Sequence, residues 1–267
     1  MVICDLKKIL YIVTAVLLCS CEIIREEDRL IPVPIPDTGG RTHVLIEYTG
    51  VRCVNCPKAA EMAEQLHATY GEKLIVVAMH PASNPFTQSI YDYTCPEADV
   101  YYKYMGGTAS TSFPTGNIDF AKQPDGYLSD YLQWPALLAS AMKEDTHLSL
   151  SCSAQLSPEK DKIHVSAEVF SIMEGQYRLA FWMTEDSVIG LQAMPDNTVN
   201  KEYCHMHMLR TTGEEVWGMP VHLTPRATSY TGTLVLPKEC VPAHCHVIAL
   251  LMDEEKKIVT AKQCVVN

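Results

Sequence analysis

His43-Val44-Leu45-Ile46-Glu47-Tyr48-Thr49-Gly50-Val51-Arg52-Cys53-Val54-Asn55-Cys56-Pro57 is the stretch whose reading decides the fold. A short, largely apolar strand pattern over His43–Tyr48 runs through a turn into a Cys-x-x-Cys pair. A helix pattern starts at about Cys53 and reaches Tyr70. Ala59, Ala63, Leu66 and Tyr70 recur at helical spacing, and Gly71 is a suitable stop. Leu74-Ile75-Val76-Val77-Ala78 then reads as a buried strand, so strand, helix and strand form a βαβ unit with a parallel pair. A dithiol at the start of that helix has a physical reason to react. The unpaired N–H groups and the helix dipole stabilise a thiolate, the species that attacks a disulfide. Arg52 adds positive charge beside it.

Upstream of this unit the chain reads as an address and a tether. Lys7 and Lys8 precede an apolar run from Ile9 to Leu18, which is shorter than the about 20 residues that span a bilayer. Residues 1–20 therefore read as a signal peptide. Leu18-Cys19-Ser20-Cys21 has the pattern of a bacterial lipobox, with Cys21 as the lipidated residue and the membrane partner reached through that anchor. Residues 21–42 carry Glu26, Glu27 and Asp28, then Pro32, Pro34 and Pro36, and read as an extended spacer. The net charge of −11 and the lack of a basic stretch argue against nucleic acid as a partner.

Residues 43–146 read as an α/β domain. Glu97–Met105 and Ser129–Glu144 carry helical patterns, and Phe113-Pro114-Thr115 leads into a short strand ending near Phe120. Residues 147–267 change to period two. Ile163, Val165, Ala167 and Val169 alternate with His164, Ser166, Glu168 and Phe170, while Tyr177, Leu179, Phe181 and Met183 share a face. About seven strands are expected there, arranged as an all-β sandwich of immunoglobulin type.

An exported chain meets conditions that permit disulfides. Of the 11 cysteines, Cys53 and Cys56 read as a redox pair, as a structural bridge, or as half of a metal site that lacks its second half at typical spacing. Cys95, Cys152, Cys204, Cys240, Cys245 and Cys264 remain as possible structural cysteines. Cys240 and Cys245 bracket a short loop that a disulfide could close. Cys152 and Cys264 fall in the first and last strands of the sandwich and read equally as a pair or as small buried apolar residues. His205 and His207 are expected on one face of a strand, where solvated or hydrogen-bonded histidines are commoner than metal ligands. No metal and no cofactor is assigned, and no phosphate loop or Ser-His-Asp order is present.

The segment from Val44 to Cys56 resembles the strand, loop and helix of thioredoxin. By that resemblance Glu47, six residues before Cys53, is the buried acid that moves protons for Cys56. Pro114, followed by Thr115, is the cis proline that shapes a substrate groove. The chain departs from that pattern at Arg52, at the Val54-Asn55 dipeptide, at Pro57 and in a longer separation between dithiol and proline.

A narrower resemblance covers nearly the whole chain. Glu47-Tyr48-Thr49-Gly50, Cys53 to Pro57, Phe113-Pro114-Thr115-Gly116 and Tyr203 to Arg210 with Trp217-Gly218 resemble the outer-membrane-protein-28-related lipoproteins. The resemblance implies an α/β thioredoxin-like domain followed by an immunoglobulin-like β-sandwich, in a lipid-anchored outer-membrane protein on its periplasmic or cell-surface face. Two functions are expected from these readings. The first is thiol–disulfide exchange on the thiols and disulfides of exported proteins, with Cys53 attacking, Cys56 resolving, Glu47 moving the proton and Pro114 shaping the groove. The alternative is a non-catalytic adhesin or binding lipoprotein that engages surface partners.

Overall fold

The computed structural model describes residues 40–90 and 93–267; the expected signal peptide, the expected lipidation site Cys21 and nearly all of the expected tether lie outside them. Strand β1 (His43–Tyr48), helix α1 (Cys56–Tyr70) and strand β2 (Leu74–Met79) form the expected βαβ unit, with β1 and β2 parallel from His43–Leu74 to Tyr48–Met79. Every residue of both strands is buried, as suits a parallel pair covered on two faces. Helix α1 begins one turn later than its pattern suggests, because the turn through Cys53 places Pro57 in the first helical turn, where proline is tolerated. Helix α2 spans Pro96–Tyr104, β3 spans Thr115–Ile118 and pairs antiparallel with β1, and α3 spans Trp134–Ala141. The Phe113–Pro114 peptide is cis.

Ten strands follow. They are β4 (Leu148–Leu156), β5 (Lys162–Ser171), β6 (Gly175–Glu185), β7 (Val188–Ala193), β8 (Val199–His205), β9 (Met208–Thr212), β10 (Met219–Leu223), β11 (Ala227–Val235), β12 (Cys245–Met252) and β13 (Ile258–Val265). Their pairing does not stay within the C-terminal half. One mixed sheet runs β13-β12-β6-β9-β2-β1-β3, with β10 also on β6. The junction between the halves is the parallel contact of Ala78 with Met208, reinforced by the Ala78 N–H donating to the His207 carbonyl at 2.8 Å. A three-stranded sheet, β11-β5-β4, lies apart, and β7 with β8 forms a separate hairpin.

Burial explains this arrangement. On β6, Ala180 and Trp182 enter the core that holds Ile46, Tyr48 and Cys53, whereas Leu179, Phe181 and Met183 enter the core shared with Ile163, Val165 and Val169 of β5. On β12, Ile248, Leu250 and Met252 take the first core, and Val247, Ala249 and Leu251 take the second. Each large apolar side chain so buried contributes roughly 1.5–3 kcal/mol, and neither core closes without these two strands. A third core, with Leu45, Ala59, Ala63, Leu66, Trp134 and Leu138, lies under α1 and α3.

The expected α/β thioredoxin-like domain followed by an immunoglobulin-like sandwich is corrected by this topology. The described residues are mostly β, arranged in three sheets with three α-helices. A self-contained sandwich strand buries one face; β6 and β12 bury both and belong to a sheet that the N-terminal strands complete.

A buried polar group fixes the start of β1. Asp119, 1% exposed, accepts from Arg41 Nη2 at 2.9 Å and from the Val44 N–H at 2.8 Å, and it lies 2.6 Å from His43 Nδ1. Arg41 also reaches Glu144 and the Ile258 carbonyl, so one guanidinium ties β1 to β13 and to the end of α3.

Candidate functional site

Cys53 and Cys56 are joined by a disulfide, and each residue is 2% exposed. Cys53 lies in the turn before α1, where its N–H donates to the Gly50 carbonyl at 3.0 Å. Cys56 is the first helical residue. Two other segments hold this turn. The Arg52 N–H donates to the Phe86 carbonyl at 2.9 Å. Gly50 permits that approach, since a Cβ there would fall 2.5 Å from the Phe86 oxygen. From the other side, Gln192 of β7 donates to the Cys53 carbonyl at 2.9 Å, and the Ala193 N–H donates to the Val51 carbonyl at 2.8 Å. The β7–β8 hairpin thus lies over the disulfide turn. Arg52 itself is solvent-exposed, as are Val54 and Asn55.

Glu47 is 3% exposed on the face of β1 that looks toward α1. Burial raises its carboxyl to about 8, against a smaller lowering from a hydrogen bond with Thr49. At neutral pH it is therefore mostly a neutral acid, and its Oε1 has no partner among the described residues. Glu47 and Cys56 both line a cleft of about 220 Å³ between α1 and the turn that joins β8 to β9. Pro114 is buried at the start of β3 and does not line this cleft. The sequence-predicted residues therefore divide. Glu47 and Cys56 meet at a cavity, Cys53 is roofed, and Pro114 stands apart from the cleft. Cys21 lies outside the described residues.

The other side of the cleft brings together Tyr203–His207, part of a motif already noted in the sequence, with His80 and Gln192, which sequence reasoning did not single out. His80, just past the carboxyl end of β2, is 2% exposed, and both ring nitrogens lack hydrogen-bond partners among the described residues. Burial pushes it down to about 3, so it is neutral. Its ring stands 6.1 Å from those of both Tyr93 and His205. A histidine beyond the carboxyl end of a buried parallel strand is the signal that could have found it, because ligands in open α/β sheets bind there. Gln192 had no comparable signal.

The expected single strand carrying both His205 and His207 is also corrected. Strand β8 ends at His205, β9 begins at Met208, and His207 has φ of 56°. The two histidines consequently have different surroundings. Burial lowers His205. Burial opposes the charge of His207 too, but hydrogen bonds with Asp186 and Glu64 raise it to about 9. His207 Nε2 stands 2.8 Å from Glu64 Oε1, and Nδ1 stands 3.2 Å from Asp186 Oδ1. This cation pins α1 to the β8–β9 corner and closes one end of the cleft.

The cleft floor is polar but uncharged near neutrality, with hydrogen-bonding capacity on Glu47 and His80 left over, while its walls include Ala60, Ala63 and Val76. Such a cavity suits a small polar group that both donates and accepts hydrogen bonds.

Comparisons with known proteins bear on this chain in three ways. The family model described as outer membrane protein Omp28 matches residues 98–267, more than half of the chain. HBP35 of Porphyromonas gingivalis is similar in structure, with a TM-score of 0.66 and 14% identity over 85% of this chain and 76% of that one. At that identity the likeness is one of fold, and it spans the N- and C-terminal halves together. A protein from Agrobacterium tumefaciens aligns over 84% of this chain and 94% of its own, at 13% identity and a TM-score of 0.49. A search of the curated proteins finds no match. Among the described residues no helix is long and apolar enough to cross a membrane. The match over residues 98–267 places the chain at the outer membrane: it belongs to the outer membrane protein Omp28 family.

Proposed function

We propose that this outer-membrane protein acts by binding, with the cleft beside α1 as its ligand site and the Cys53–Cys56 bridge as a fixed part of the cleft's wall. The observation that carries this reading is the closure over Cys53. The residue is 2% exposed and its carbonyl is held by Gln192. An attacking sulfur must meet the sulfur of a partner protein, and a roofed Cys53 has no such approach. The cleft supports the same reading, because two buried side chains with unused hydrogen-bonding capacity border it. The occupant is a small polar group presented by a surface or exported partner, and a lipid on Cys21 keeps the site at the membrane.

Thiol–disulfide exchange on exported proteins is a second reading, favoured by one observation. Glu47, with an unpaired oxygen and a raised carboxyl, lines the same cleft as Cys56. The reduction potential of the Cys53–Cys56 pair separates the two. The binding reading expects a bridge that resists glutathione, with a potential below about −300 mV. A reversible potential within roughly −120 to −270 mV overturns it in favour of exchange.

A further inference from the structure

We propose that Cys152 and Cys264 are joined by a disulfide in the exported protein, fastening the last strand of the chain to the first strand of the small sheet. Their Sγ atoms stand 2.6 Å apart across 112 residues of sequence. Unbonded heavy atoms rest at about 3.5–4.0 Å, and bonded sulfurs at about 2.05 Å, so the pair is already well inside non-bonded contact.

The backbone accounts for the closeness. Ala154 of β4 bridges Val266 in parallel, the Asn267 N–H donates to the Ala154 carbonyl at 3.1 Å, and the Leu156 N–H donates to the Asn267 carbonyl at 2.8 Å. Cys152 lies two residues before Ala154, and Cys264 lies two before Val266. In a strand the side-chain period is two, so both cysteines fall on the same face and in the same register as that bridge. Both are half-buried and pack against the core between the two sheets. Strand β13 belongs to the large sheet and β4 to the small one. The bond therefore fastens the large sheet to the small one along an edge where few backbone hydrogen bonds join them.

The chemistry balances simply. Two thiols lose two protons and two electrons as the S–S bond forms, and a low-molecular-weight or protein disulfide of the exported compartment accepts them and becomes two thiols. Outer-membrane location supplies that oxidising setting. Cys95 is the internal contrast: a buried thiol, raised to about 12 by burial, that serves as packing.

The test is peptide mapping of the full chain recovered from the outer-membrane fraction. Free thiols are alkylated under denaturing, non-reducing conditions before digestion. A peptide carrying Cys152 linked to one carrying Cys264 is expected. Recovery of both residues alkylated, or of either linked to another cysteine, overturns the proposal. A thermal series gives a second readout. Cys152→Ala, Cys264→Ala and the double variant should all lower Tm by the same amount, about 5–15 °C, and reduction should cost wild type that much more than it costs the double variant, because both also lose the Cys53–Cys56 bridge. Separate, additive losses would point to two packing defects and reject the bond. If a variant fails to fold, mapping of the wild type still decides.

Discussion

Gln192 donates its side-chain amide to the main-chain carbonyl of Cys53 at 2.9 Å, bridging 139 residues of sequence. This contact makes the disulfide turn part of the C-terminal half's hairpin. Replacing Gln192 with Ala removes the amide and leaves the Cys53 carbonyl to the Cys56 N–H, 3.3 Å away, and to water. A hydrogen bond of this kind is worth roughly 0.5–1.5 kcal/mol, so reduction of the Cys53–Cys56 bridge by dithiothreitol should quicken about three- to tenfold. The rate is read by mass after quenching with an alkylating agent. An unchanged rate would show that the hairpin does not guard the bridge.

Two groups of the cleft make stability fall as pH rises, in two different windows. Glu47 has an ordinary value of 4.5 and a folded value of about 8. Its folded form holds a proton that the unfolded chain gives up, so its contribution is complete below about 4.5 and is lost as pH rises through 8. The loss is of the order of a few kcal/mol. Glu47→Gln keeps the shape without the titration, and it should flatten the fall in unfolding free energy between pH 5 and 8. Parallel curves for variant and wild type would rule out a buried neutral carboxyl.

His207 titrates in a higher window. Its pKa moves from 6.5 to about 9, so its stabilisation is present below 6.5 and is lost as pH rises through 9. His207→Gln should therefore cost stability at pH 6 and little at pH 10. Because the ring spans Glu64 and Asp186, the variant should also speed amide exchange at the β8–β9 corner. Equal destabilisation at both pH values would mean that the ring acts by packing alone.

Parts of this architecture were open to sequence reasoning because they are local. The strand at His43–Tyr48, the helix closed by Gly71, and the alternation from Ile163 to Val169 each follow from spacing within a dozen residues. What joins them was not local. The Ala78–Met208 pairing is one contact between distant segments and leaves no periodic trace. The double burial of β12 did leave a trace in the unbroken apolar run Val247-Ile248-Ala249-Leu250-Leu251-Met252, which is the mark of a strand covered on two faces. Period two read on Tyr177, Leu179, Phe181 and Met183 was correct for one side of β6 and concealed Trp182 on the other. At the site, the Cys-x-x-Cys pair was plain. Its closure was not, since a glutamine in a hairpin has no signature that ties it to a cysteine.

Shared strands make a cooperative unit, and that can be measured. Leu250 and Leu251 are neighbours on β12 that enter different cores, one the core that holds Trp182 and the other the core that holds Val169. Leu→Ala at either should cost about 2–5 kcal/mol. Both variants should shift one and the same denaturation midpoint, whether followed by tryptophan fluorescence or by far-UV circular dichroism. Two separate transitions, with each variant moving only one, would mean that the halves fold independently.

Asp119 offers the sharpest test of the scaffold under the site. It meets Arg41, His43 and the Val44 N–H while 1% exposed. Asp119→Ala leaves the buried Arg41 guanidinium only the half-exposed Glu144 as a carboxylate partner among the described residues and frees the Val44 N–H without a partner. Breaking a buried ion pair in this way costs about 3–5 kcal/mol. The double variant Arg41→Met with Asp119→Ala should recover part of that loss, since no uncompensated charge remains inside. Urea titrations of the single and double variants measure both quantities. A double variant weaker than Asp119→Ala by the full cost of a second, independent defect would show that the two side chains are not energetically coupled, and that the fixing of β1 against β13 lies in the backbone alone.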